Sequence, residues 1–444
     1  MAGDRATHAD RVAAAYELFA RERRIANRPG LTVAASAQAI GASRSQFYRY
    51  WETTSALAED LALHRATSDR GWQARVRADD DPDVFAALRR ALQHPDAADG
   101  ATSRAVVAAE PIDAPTHAGL AAWEARGIGW LAERLRGGRP AADVPWTALA
   151  AMVTALVDGT LLERGSRVGG SPGPFDEAFA TLVADTARAL TAYFATHAVA
   201  ADEPLAPSGP GGSEPRPEGA SRLLERMDAA IRAGALPASV TTERRVVNVD
   251  RLSRDLSLTS RGVFDIWPSA ADFNADLFAE SLRRLGMVTD LAAMTAFTES
   301  TVTDPSEVAA VLVRVNERLM DLDELQEPLV QLALMDVLDT PDAAGRHAEL
   351  IQRWSDDNQM RAAAVLQASG RRLVPEVAIA DYADLVIGAG LGGWRVCATH
   401  RSLVARRCRY LDGDVATMAA ALDALTQVCA EPWEAGPAHG SASA

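Results

Sequence analysis

Apolar residues recur at three- and four-residue spacing along most of the chain. The stretch 173–197, which contains PFDEAFATLVADTARALTAYFATH, is the clearest case, and its stripe predicts a helix packed on one face. The same spacing predicts helices over 116–137, 145–164, 304–322, 326–339, 341–370 and 412–430. No run of alternating or β-branched residues predicts a strand, so the pattern gives an all-α fold. The pattern breaks off over 201–219, ADEPLAPSGPGGSEPRPEG, where Pro, Gly, Ser and acidic residues leave nothing to bury. That segment is predicted to be a disordered linker between halves of 200 and 225 residues, and 433–444 a disordered tail.

The two halves echo each other. Residues 32–57, TVAASAQAIGASRSQFYRYWETTSAL, align without a gap on residues 248–273, NVDRLSRDLSLTSRGVFDIWPSAADF, at a shift of 216. Val33 falls on Val249, Ile40 on Leu256, Ser43 on Thr259, Phe47 on Val263, Tyr48 on Phe264, Trp51 on Trp267 and Leu57 on Phe273. Further along, Asp113-Ala-Pro115 matches Asp339-Thr-Pro341 at 226, and Leu156-Val157-Asp158-Gly159 matches Leu385-Val386-Ile387-Gly388 at 229. A common order with a slowly rising shift is what a tandem duplication with small loop insertions leaves behind.

The repeated segment has the grammar of a helix-turn-helix. Thr32 is a good N-cap for a helix over 33–40, and Gly41 suits the positive φ that stops a helix and turns the chain. Ser43 caps a second short helix over 44–51, and Thr53 caps a third. Phe47 and Trp51, four apart, point inward, which turns Arg44, Ser45, Gln46, Tyr48 and Arg49 outward. Such a face suits a major groove: Arg44, Ser45 and Gln46 can meet base edges, and Tyr48, Arg49 and Thr53 can hold phosphate oxygens.

An amphipathic helix over 9–24 precedes this segment. With it, the order of capped helix, Gly41, Ser43-Arg-Ser-Gln-Phe-Tyr-Arg-Tyr-Trp51 and a further capped helix resembles the DNA-binding domain of TetR-family transcriptional regulators. The resemblance is specific over 8–64 and weaker over 219–285. It implies a regulator, most often a repressor, whose helical domain binds a small-molecule effector and dimerises. Two copies in one chain imply a single-chain pseudo-dimer that meets itself across an intramolecular pseudo-twofold interface and binds a double-stranded DNA operator. The domains expected are a head over 1–64, a regulatory domain over 65–200, a divergent head over 220–285 and a second regulatory domain over 286–432. Carried to the second head, the DNA-contacting positions are Arg251, Ser260 and Arg261. There Phe264 lacks the phenol hydroxyl and Asp265 replaces Arg49. A lysine that the family places near the start of the fourth helix is Thr54 here, and Ala270 in the second copy.

Composition sharpens this reading. The 444 residues carry a net charge of −15, and all 45 basic residues are arginine. The acidity is not uniform: residues 1–77 hold 12 arginines against 8 acids, and 220–285 hold 10 against 9. Charge acts within about 8–10 Å, so an acidic body does not forbid DNA contact by the heads. Cys397, Cys408 and Cys429 are too scattered for a disulfide framework or a zinc site. The start lacks a signal-peptide pattern, and apolar runs such as 148–157 are short of a membrane span. The expectation is a cytoplasmic, nucleoid-associated protein with no metal, no cofactor, no membrane partner and no catalytic residues. The alternative is a ligand-binding or protein-interaction module of the same fold that has lost DNA recognition.

Two further features carry expectations. Asp384-Leu-Val-Ile-Gly-Ala-Gly-Leu-Gly-Gly393 contains a G-x-G-x-x-G, yet no strands are evident to build a dinucleotide fold. Close helix packing is the expected use of these glycines. Trp123, Trp130, Met152 and Leu156 in the first half, with Trp354, Met360 and Trp394 in the second, are candidate lining of an effector cavity. Asp158 and Glu163, on the helix over 145–165, are placed to orient a polar ligand group, although a solvated or capping role is the first expectation for them.

Overall fold

The computed structural model describes residues 25–26, 33–39, 41–67, 70–98, 100–101, 104–105, 114–137, 139, 144–168, 174–200, 218–232, 246–247, 253–254, 257–268, 272–273, 276–277, 279–280, 282–284, 310–311, 313–317, 341–400, 403, 406–411 and 413–432. Thr32, Arg251, the helices expected over 9–24 and 326–339, the tail, and the linker as far as 217 lie outside these residues. The described residues are mostly helical.

Strand β1, Ile25–Ala26, leads into a head of three helices: α1 Val33–Ala39, α2 Arg44–Tyr48 and α3 Thr54–Ala66. Gly41 turns the chain between α1 and α2 with a φ of 59°, which costs glycine no Cβ clash. Four helices follow the short α4, Gly71–Ala78: α5 Val84–Leu92, α6 Ala114–Arg136, α7 Trp146–Val168 and α8 Glu177–His197. Carboxylates start two of them, Asp83 accepting from the Phe85 amide at 3.0 Å and Asp176 from that of Phe179 at 2.8 Å. Strand β2, Ala198–Ala200, closes the first half.

The second half begins with α9, Glu218–Arg232, so the helix starts within the stretch expected to be linker. Strand β3, Val246–Val247, and the short α10, Ser260–Ile266, come next. The C-terminal part consists of α11 Pro341–Ala368, β4 Arg371–Leu373, α12 Ile379–Thr399, the hairpin β5 Arg407–Tyr410 and β6 Gly413–Ala416, α13 Thr417–Cys429, and β7 Ala430–Pro432. The helix expected over 412–430 thus begins only at Thr417.

The core is a bundle of α7, α8, α12 and α13, with α6 and α11 laid against it. The helices α7 and α12 make its most extensive contact and run antiparallel: Ala155 meets Gly392, Gly159 meets Gly388, and Arg164 pairs with Asp384 at 3.3 Å and Asp381 at 3.0 Å. Over Trp146–Arg164 the helix is long and apolar enough to cross a bilayer, with a mean hydropathy of 1.2, but 89% of that window is buried inside the protein. The alternating pattern missed the strands because they are two to four residues long. They stitch the halves together: β2 pairs antiparallel with β5, Ala198 opposite Tyr410, and β1 pairs parallel with β3, Ile25 opposite Val246. The other two pairs, β4 with β7 and β5 with β6, lie within the second half.

Candidate nucleic-acid interface and buried polar centre

Helix α2 is anchored by Phe47, which is fully buried, and by Trp51 just beyond its end. The Trp51 indole N–H donates to Asp60 Oδ2 on α3 at 2.8 Å, fixing the angle between the two helices. Arg44, Ser45, Gln46, Tyr48 and Arg49 are all exposed, Tyr48 at 58%. Two of them are already engaged: the Ser45 and Ser43 hydroxyls are bonded at 3.0 Å, and the Gln46 side-chain carbonyl accepts from the Ser43 amide at 2.8 Å, leaving its NH2 group to meet a ligand. The exposed Thr53 caps α3, its hydroxyl oxygen accepting from the Ala56 amide at 3.1 Å. Its hydroxyl proton remains available to a phosphate.

The second segment repeats this construction. Thr259 caps α10 by accepting from the Gly262 amide at 3.0 Å, Val263 takes the place of Phe47 in the core, and Trp267 is buried. The Trp267 indole donates to Asp276 at 2.8 Å, the same bond as Trp51 to Asp60, displaced by the same 216 residues. Ser260, Arg261, Phe264 and Asp265 are exposed. An exposed Phe264 at 55% and a carboxylate where the first head has Arg49 make this a poorer face for phosphate.

Helix α9, although it belongs to the second half, packs on the first head. Ala220, Leu223, Leu224, Met227 and Ala230 share one buried cluster with Val33, Ala37, Phe47, Trp51, Leu57 and Leu61. Asp228, nearly buried, pairs with Arg65 of α3 at 3.0 Å and with Arg70 at 3.7 Å.

A second constellation lies where α4, α6 and α7 of the first half meet α12 of the second. Asp158 on α7 is fully buried, contrary to the solvated role expected of it. It accepts from the Trp72 indole at 2.7 Å, from Arg104 at 2.8 and 3.1 Å, and lies 2.9 Å from the Arg395 guanidinium of α12. Arg395 also donates to Glu124 of α6, and His400 Nε2 lies 3.5 Å from the other oxygen of that carboxylate. Burial, with the Arg395 cation beside it, pushes the His400 imidazole down to about 4. Two arginines and two carboxylates thus neutralise one another away from water, the condition under which buried charges are tolerated. Glu163, also expected to be solvated or capping, is buried as well.

The cavity candidates are scattered rather than gathered. Met152 and Leu156 lie in the main bundle core. Trp123 belongs to a smaller cluster with Ala62, Leu63, Ala66 and Leu120, under the Arg104 guanidinium at 5.2 Å. Arg77 lies over both Trp123 and the half-buried Trp130, 5.9 and 5.6 Å from the ring centres. Trp394 is buried on α12. Trp354 is half-buried with Arg361 at 5.4 Å, and Met360 is 65% exposed. Met360 is therefore corrected from cavity lining to surface: it lies on the solvent side of α11.

The glycine-rich run lies wholly in α12. A Cβ on Gly159 would meet the Gly388 carbonyl oxygen at 1.7 Å, and one on Gly392 would meet that of Ala155 at 1.8 Å. Backbone touches backbone here, which is the use expected of these glycines. Set against known protein families and curated proteins, the chain matches no family profile and no curated sequence.

Proposed function

We propose that the chain is a TetR-like transcriptional regulator, a cytoplasmic repressor that carries both modules of a dimer in one polypeptide. The observation that carries this reading is the exposed face of α2. A short helix follows a positive-φ glycine, is anchored by one buried aromatic, and presents two arginines, a serine and a phenol to solvent. Its copy 216 residues on, with the same tryptophan–aspartate bond, supports a duplicated head. The crossing of α7 and α12 supports the pseudo-dimer. Gly159 and Gly388 are equivalent in the repeat and also touch each other, as equivalent residues do on a twofold axis. The helical domains bind a small-molecule effector in this reading, and the first head reads the operator.

Fluorescence anisotropy with DNA from the gene's own upstream region tests this. Arg44→Ala is expected to cost about 1–3 kcal/mol and relax preference at one base pair. Tyr48→Phe is expected to weaken binding by removing a phosphate donor. Unchanged affinity in both variants would refute the assignment. Asp265, Phe264 and the acidic body favour a second reading, a ligand- or protein-binding module that has left DNA behind. Complete absence of salt-dependent DNA association at low ionic strength would select it.

A further inference from the structure

We propose that the first reading head is a joint product of both halves: α9, beyond the linker, is the wall that closes it, and Leu224, Met227 and Asp228 are positioning residues for α2 and α3. The inference rests on α2 being the DNA-contacting helix, but its structural arm can be read without DNA. Among the described residues, helices α1 to α3 span 33–66, a short stretch whose core is shared with α9. Helix α9 supplies one side of that core. Ala220, Leu223, Leu224, Met227 and Ala230 recur at helical spacing on its buried side, while Arg222, Glu225, Arg226 and Ala229 are exposed. The buried side meets Phe47 and Trp51, the two residues that hold α2, and Leu57 and Leu61 of α3.

Polar contacts fix the register. Asp228 is 9% exposed at its side chain and holds Arg65 at 3.0 Å, so α9 is tied to the last turn of α3 by a sheltered ion pair. The first turn of α9 is equally close: a side chain on Gly219 would lie 2.0 Å from the Tyr50 hydroxyl. The parallel pair of β1 and β3 brings the two halves side by side again, just before α1 on one strand and before the second head on the other. A displacement of the second half therefore moves the wall of the first head, and DNA reading answers to both halves.

Leu224→Asp in the full chain puts a carboxylate into the cluster between α9 and the head. Hydrogen exchange read by mass spectrometry is expected to accelerate in 54–66 by at least about tenfold, with 177–197 unchanged. Operator affinity, measured in parallel by anisotropy, is expected to fall by at least the same factor. Exchange in 54–66 within twofold of the parent chain would overturn the proposal. If the parent binds no DNA, the functional reading fails, and the exchange result still decides whether α9 closes the head. Should Leu224→Asp unfold 177–197 as well, charge exchange takes over. Arg65→Asp and Asp228→Arg are each expected to loosen 54–66, and the two together to restore it. Absence of that rescue would overturn the pairing.

Discussion

Gly159→Ala tests the fold at its tightest point. The added methyl carbon would sit 1.7 Å from the Gly388 carbonyl oxygen, 2.6 Å from its carbon and 2.7 Å from the Gly392 nitrogen. All three atoms are backbone, so no side chain can swing aside. Real Cβ atoms do not approach closer than 3.0 Å, so α7 and α12 must part by more than about 1 Å locally. A gap of that size forfeits roughly a quarter to a half of the dispersion energy of the atoms it separates. Overpacking in cores costs about 1–3 kcal/mol, and this site belongs at the upper end. Alanine in a helix offsets about 1 kcal/mol of that. The net expectation is a loss of about 2 kcal/mol, or a fall in Tm of roughly 4–8 °C by the scaling for large domains. Gly390 is the control. It lies on the same helix, and a Cβ added there would have nothing within 4 Å, so Gly390→Ala should raise Tm by about 2–4 °C from helix propensity alone. Calorimetry of the two variants beside the parent chain decides the matter. If Gly159→Ala is as stabilising as Gly390→Ala, the helices do not cross there at backbone contact.

Other expectations follow from the buried groups and the head. Asp158→Asn leaves Arg104 and Arg395 without their shared carboxylate and should cost about 3–5 kcal/mol in denaturant unfolding; a loss under about 1 kcal/mol would mean that water reaches the centre. Asp423, held by Tyr410 at 2.7 Å and Gln427 at 3.2 Å, is pushed by burial from its usual 3.8 up to about 6. The folded chain therefore binds the extra proton, and this group lowers stability as pH rises from about 4 to about 6. His400, lowered from 6.5 to about 4, does the reverse: the unfolded chain binds the extra proton, so stability rises over about pH 4 to 6.5. Each slope approaches about 1.4 kcal/mol per pH unit and the two nearly cancel, so Asp423→Asn should uncover a rise in stability and His400→Gln a fall. Identical urea midpoints across that range in parent and both variants would refute the pair. Finally, Arg49→Ala should reduce the salt dependence of operator binding by about one phosphate's worth, which a salt titration by anisotropy reads directly.

What was legible in the sequence was whatever is local. Phe47 and Trp51 buried, with Arg44, Tyr48 and Arg49 outside, follow from four-residue spacing, and they lie as that spacing requires. The gapless repeat ended at Leu57 and Phe273, three residues short of Asp60 and Asp276, whose bonds to the tryptophans are its most specific feature. The charged centre had no such signal. Arg104 and Asp158 are 54 positions apart and Arg395 and Glu124 are 271, so no window along the chain contains a pair. The hairpin did leave a trace: exposed Arg407 and Arg409 alternate with buried Cys408 and Tyr410 just before Asp412-Gly413, a turn dipeptide. A helical stripe starting at 412 outweighed it. The packing of α9 on the other half's head is a property of topology, and helical periodicity fixes which side of a helix is buried but not what buries it.

The contact between α7 and α12 has a consequence for how the protein behaves on dilution. In a two-chain assembly such a crossing is lost once the concentration falls below the dissociation constant. Here both helices belong to one polypeptide, so their crossing is intramolecular and does not depend on the concentration of the chain. The crossing at Gly159 and Gly388 therefore persists at any dilution that leaves the chain folded. On the proposed DNA-binding function, occupancy of an operator would follow the first power of chain concentration, without the steeper threshold that separate protomers impose. A tethered crossing also frees each side from having to match itself, which is why one half can keep Asp158 where the other carries Ile387.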